Sequence, residues 1–247
     1  MVLRTLRYGE ADVIAHLLTR TAGRRGVIVK GARSPRSRIG ARLEPFLAVS
    51  VQLIEGRGDL AVVRSVDVTA SHEHLRGDWR AQRSGAVALD LVSRLTEEHQ
   101  PSEQAYHLVR NYLAALDTVA ARTGFEPDAA EQRGGSLLAA FELKLLHVNG
   151  MAPQLGLCVR CGEPVDQRIA FSATDGGVVC STCRTAGDAP LTAAEHALAV
   201  TLMRDPLAAV ATRESELLPT LRELRTVEQQ LVAAMSAEHA GVRPRRS

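Results

Sequence analysis

Near the start of the chain, apolar residues come in short runs. Val2–Leu6 is one, Asp12–Leu18 with β-branched Val13 and Ile14 is a second, and Gly26–Lys30 is a third. Leu47, Val49, Val51 and Leu53 alternate with Ala48, Ser50 and Gln52. That period of two predicts a half-buried strand. Leu60–Val66 is a fifth run, and Gly56-Arg57-Gly58-Asp59 between the last two predicts a hairpin loop. Five short strands in about 70 residues suit a small barrel. The OB-fold is the five-stranded barrel that binds nucleic acid, and an SH3-like barrel gives a similar pattern.

From Ser71 the period lengthens to that of a helix. Ala86, Leu89, Val92 and Leu95 recur at helical spacing, as do Tyr106, Val109, Leu113, Leu116 and Val119. Pro101-Ser102 between them predicts a helix break and an N-cap. Leu137–Val148 is another apolar helix with Gly150 as its C-cap. Thr192 and Glu195 have capping-box spacing ahead of Leu198, Val200 and Leu202. Leu217, Leu221, Leu224, Leu231 and Met235 predict a last long helix, and Val242–Ser247 a frayed basic tail. No internal repeat is evident. The expected class is a multidomain α+β protein. Residues 1–70 read as all-β, and from 71 onward the pattern is helical.

Charge sharpens this division. The net charge is only +2, yet residues 1–70 hold 12 Lys+Arg against 6 Asp+Glu. Arg20, Arg24, Arg25, Lys30, Arg33, Arg36, Arg38 and Arg42 fall in 20–42, where there is no acid. Such a block attracts a polyanion, most commonly a phosphate backbone. The alternative is a solvated basic loop. We single out Lys30, Arg33, Arg36, Arg38 and Arg42 for phosphate contact, with Arg24 and Arg25 next. Only Tyr8 and Phe46 are aromatic in this region, so binding should be mostly electrostatic, steeply salt-dependent and open to both single strands and duplex.

Cys158-Val-Arg-Cys161 and Cys180-Ser-Thr-Cys183 stand 18 residues apart. CxxC-x18-CxxC is the spacing of a four-thiolate zinc site, with each pair forming a turn that aims two sulfurs at one point. Four protein ligands close a tetrahedral site, so one structural zinc is expected rather than a catalytic one. Phe171 could cover the small apolar face of the ribbon. Arg160, Arg168 and Arg184 flank it, and they either touch DNA or offset thiolate charge.

No charge-free window of about 18 residues occurs, so no membrane helix is expected. Met1–Arg7 lacks the apolar region of a signal peptide, which points to the cytoplasm and to reduced thiols. There is no Walker loop, GxGxxG after a strand, Gly-x-Ser-x-Gly or HExxH, so nothing positive supports an enzyme. His72 and His74 are too close in sequence to be helical co-ligands, and a loop or cap role fits them better. Glu97-Glu98 and the Asp128/Glu131 pair read as solvated carboxylates.

The order of short motifs resembles one family, the bacterial recombination mediator and DNA repair protein RecO. The resemblance runs through Val2-Leu3-Arg4-Thr5, Tyr8-Gly9-Glu10-Ala11-Asp12, Leu17-Leu18-Thr19, Val29-Lys30-Gly31-Ala32-Arg33 and Leu43-Glu44-Pro45-Phe46. Downstream, Cys158-x-x-Cys161-Gly162, Phe171, Gly176-Gly177 and Cys180-x-x-Cys183 resemble its zinc-bearing members. The resemblance implies an OB-fold β-barrel that binds nucleic acid over 1–70, a helical domain over 71–152 with an inserted zinc ribbon over 153–186, and C-terminal helices over 187–247 that pack on the helical domain. It also implies annealing of complementary single strands and, with RecR, loading of RecA onto DNA coated by single-strand-binding protein (SSB). The acidic C-terminal tail of SSB would be a partner, with 191–235 a reasonable place for its groove. A nucleoid-associated protein of the RecF pathway, not an enzyme, follows. The alternatives are an RNA-binding or transcription-associated ribbon protein and a zinc hydrolase.

Overall fold

A computed structural model describes residues 1–35, 37, 39–55, 60–123, 135–165, 169–217 and 220. Its contacts divide the chain into two compact units, Met1–Gly124 and Phe125–Ser247.

The first unit opens with five strands: β1 (Val2–Tyr8), β2 (Asp12–Leu18), β3 (Arg24–Val29), β4 (Ala48–Ile54) and β5 (Ala61–Ala70). They form one sheet in the order β1-β2-β3-β5-β4, antiparallel except for the β3–β5 pair. That order, with its one parallel pair, is OB-like and differs from an SH3-like meander. The Val2 N–H donates to the Leu47 carbonyl at 3.0 Å, which brings edge strands β1 and β4 together at one end. Alternation sends Val2, Ala15, Leu17, Val27, Val29, Ala61 and Val63 into a buried core, with Val49, Val51 and Leu53 packed against it.

Three helices complete this unit: α1 (Glu73–Gly77), α2 (Trp79–Leu95) and α3 (Glu103–Thr123). The Asp78 side chain accepts from the N–H groups of Arg80 and Ala81, so α2 starts well before the apolar spacing at Ala86. Ser102 Oγ accepts from Ala105 N–H at the start of α3, the expected N-cap. Gly85 is where α2 packs against the segment leading into β4, because a Cβ there would lie 2.7 Å from Phe46 Cε1. His72 precedes α1 in the left-handed region, and its Nδ1 lies 2.6 Å from the Phe46 carbonyl oxygen. That is the loop-and-cap role expected of it.

The second unit holds α4 (Gly135–Val148), the strands β6 (Ile169–Ser172), β7 (Gly177–Val179) and β8 (Ala189–Leu191), then α5 (Ala193–Arg204) and α6 (Leu207–Thr212). Helix α4 is apolar nearly all round and is packed by α5 and α6. It ends at Gly150, where Met151 N–H returns to the Leu146 carbonyl at 2.8 Å. Both halves of the Thr192–Glu195 capping box are formed on α5. Leu217 is helical and buried, whereas 221–247, with most of the expected last helix and the tail, lies outside the described residues.

Candidate nucleic-acid interface and thiol cluster

The two CxxC turns bracket β6 and β7, which pair antiparallel in the order β7-β6-β8. Cys158 N–H donates to Glu163 O at 2.8 Å, and Gly162 N–H to Cys158 O at 2.8 Å. Gly162 has φ +77°, so the turn uses the conformation that glycine allows. After β7, Cys183 and Arg184 donate to the Cys180 carbonyl.

All four Sγ atoms lie within 4.8 Å of one another. Cys161 Sγ and Cys180 Sγ are 3.8 Å apart, and no cysteine is in a disulfide. Four sulfurs held about 2.3 Å from a tetrahedral zinc would stand about 3.8 Å apart, whereas disulfide sulfurs stand about 2.0 Å apart. The cluster therefore has the chemistry and spacing to hold one metal ion.

Its electrostatics agree. Cys158 is pulled down to about 6, chiefly by the Cys180 backbone N–H. Cys183 is pushed up to about 12, chiefly by hydrogen bonding with the Cys180 thiol and then Cys161. Neighbouring thiols cannot all ionise unaided, and a divalent cation relieves that conflict. Ala170 and Val179 pack with Cys158 against the cluster. Phe171 is also buried, and alternation puts it on the face of β6 opposite Ala170 and the thiols.

Arg160 sits inside the first CxxC turn and faces inward. Its Nη1 and Nη2 reach Asp188 at 2.7 and 2.9 Å, its Nε reaches Asp175 at 2.9 Å, and Nη1 also donates to Cys183 O. The guanidinium holds the Asp188 carboxyl at about 2. Arg160 thus ties the two cysteine turns together. Arg184 is exposed, and Arg168 lies outside the described residues.

In the basic block, the structure brings in acids from elsewhere in the chain. Arg24 donates to Ser93 O at 2.8 Å and lies 3.6 Å from Glu98. Arg25 makes a two-pronged contact with Glu55 at 2.9 and 3.0 Å. Lys30 donates to Asp12 at 2.9 Å and, with Gly31 N–H, holds that carboxyl below its usual range. Arg33 and Arg42 remain exposed and donate only to carbonyls, Glu10 O at 3.2 Å and Val66 O at 3.0 Å. Arg36 and Arg38 lie outside the described residues. Lys30 and Arg33 gather at one end of the sheet, because Arg33 N–H donates to Ala11 O in the β1–β2 turn.

Exposed cations of the same sheet also lie outside the acid-free block 20–42. Arg4 and Arg7 on β1 make no ion pair or hydrogen bond with a side chain among the described residues. The signal was the strand's own period, since Arg4, Leu6 and Tyr8 alternate onto one face.

No helix among the described residues is long and apolar enough to cross a membrane. The family described as Recombination protein O N terminal matches residues 1–72, and Recombination protein O C terminal matches 76–246. A DNA repair protein RecO of Anaeromyxobacter dehalogenans is 35% identical over 227 residues, covering 87% of this chain and 85% of the relative. Its namesake in Nocardioides sp. is 38% identical over 192 residues, 76% of this chain and 74% of the relative. That of Streptomyces coelicolor is 37% identical over 194 residues, 76% and 73%. Both halves are matched and relatives of this identity span most of the chain, so the chain belongs to the RecO family of DNA repair proteins.

Proposed function

We propose that this protein is a non-catalytic DNA-binding recombination mediator of the RecF pathway. It anneals complementary single strands and, with RecR, helps load RecA onto DNA coated by SSB, whose acidic C-terminal tail it binds. The observation that carries this reading is an OB-like sheet with surplus exposed arginine in a chain of the RecO family. Neutralising phosphates on two strands lets them approach, which is what annealing requires, and the guanidinium fork suits phosphate. The phosphate contacts are Lys30, Arg33, Arg42 and the flanking Arg36 and Arg38. Arg24 and Arg25, engaged by Glu98 and Glu55, mainly position the loops. The site is cytoplasmic and nucleoid-associated. It acts on single-stranded and double-stranded DNA.

Cys158, Cys161, Cys180 and Cys183 hold one structural Zn2+. Four protein thiolates fill a tetrahedral shell and leave no position for a reacting water, so the metal supplies folding energy.

The test is anisotropy binding of single-stranded and duplex oligonucleotides across salt. Arg33→Ala/Arg36→Ala should weaken binding to every sequence alike and reduce the salt slope by up to about two. An unchanged slope would remove these residues from the footprint. A preference for structured RNA at matched salt would favour the transcription-associated reading instead.

A further inference from the structure

The outward face of β1 carries apolar side chains that the core does not use. Arg4, Leu6 and Tyr8 pair with His16, Ile14 and Asp12 of β2. Ala15 and Leu17 of β2 point into the core, and the register slips between Val2 and Arg4, so Thr5 opposite Ala15 turns inward while Leu6 and Tyr8 face out. Leu6 is 47% and Tyr8 52% exposed, beside half-buried Ile14. Arg4 on this face and Arg33 beyond the β1–β2 turn are exposed and lack an ion pair among the described residues, whereas Arg7, opposite Val13, takes the other face. Among the acids here, Asp12 is neutralised by Lys30, which leaves Glu10 as the one carboxylate without a cation. An apolar, ring-bearing ledge inside a surplus of guanidinium groups matches a ligand with flat apolar faces on a polyanionic backbone. Duplex DNA hides those faces in its stack, and a single strand offers them.

We propose that Leu6 and Tyr8, with Ile14 behind them, form a stacking ledge for unpaired bases, and that Arg4 and Arg33 hold the adjoining phosphates. The ledge gives the sheet a preference for single strands that phosphate contacts alone cannot supply. This rests on the reading of the sheet as the DNA-binding element. Base readout on the ledge is stacking, so it tolerates any sequence. It adds a stacking contribution to the binding that the few aromatic residues led us to expect as mostly electrostatic.

The experiment compares the full-length protein with Tyr8→Ala, Tyr8→Phe and Leu6→Ala, using a dT oligonucleotide and a blunt hairpin duplex. Melting curves first verify that the variants fold. Tyr8→Ala should lower affinity for the dT strand roughly 5- to 100-fold, Tyr8→Phe should restore it, and Leu6→Ala should lower it less. Duplex affinity should stay within about twofold and the salt slope should not change, because no charge is removed. Equal loss on both ligands, or no loss on either, overturns the ledge while leaving the DNA-binding reading intact. If the parent protein binds neither ligand, that reading fails and the ledge falls with it.

Discussion

Glu214 is half-buried, and both its carboxylate oxygens accept backbone N–H groups, from Ser136 at 2.7 Å and Leu137 at 3.0 Å. It therefore caps α4 from far along the chain. Burial pushes it up to about 7, against the pull of those two donors. Between about 4.5 and 7 the folded protein holds a proton that the unfolded chain has released. The group's contribution to stability thus falls as pH rises through that window and is level above it. Glu214→Gln should abolish that slope in thermal melts, and an unaltered slope would assign it elsewhere. Glu214→Ala leaves two buried donors unpaired and should cost about 2 kcal/mol. Nothing in Arg213–Glu216 as a sequence sets this acid apart, because its partners lie almost 80 residues away. Arg160 is similar: its place inside a CxxC was visible, but Asp175 and Asp188 were not. Arg160→Ala should destabilise the protein by about 2–3 kcal/mol, because Asp188 is left nearly buried without its cation. Asp188, held at about 2, contributes stability above its ordinary value near 3.8 and loses it as pH falls toward 2. That acid-side loss should shrink in Arg160→Ala.

At the scale of elements, short apolar runs marked four strands of the sheet and a period of two through Val49–Leu53 marked β4, whose alternate residues pack on the core. Edges were less legible. Helix α2 begins at Trp79 because Asp78 caps it, although the helical spacing is plain only from Ala86. Phe171 illustrates a further limit: the sequence shows that it is apolar, but the pairing of β6 decides which face it takes. The apolar cluster that packs directly on the thiols is small, built on Cys158, Ala170 and Val179, so the order of the ribbon should depend on the metal. Chelation, or Cys161→Ser, should speed amide exchange in β6, β7 and the two cysteine turns while β1–β5 stay protected. Unchanged exchange in the ribbon, together with no zinc in metal analysis of the purified protein, would contradict a structural metal.

For the whole molecule, the charge asymmetry and the two CxxC pairs carried most of the functional reading, because both are local in sequence. The ion pairs were not legible. Glu55, Glu98 and Asp12 reach Arg25, Arg24 and Lys30 only after folding, and they change which cations remain to meet a polyanion. The contact division at 124/125 groups α1–α3 with the sheet, a boundary that the helical pattern does not mark. The central claim concerns what this protein does to two DNA strands. Its most direct test mixes complementary oligonucleotides, each coated with the cognate SSB, and follows duplex formation without ATP. The account predicts faster annealing in the presence of this protein, lost when the SSB tail is deleted. No acceleration by a folded, zinc-loaded protein would contradict it.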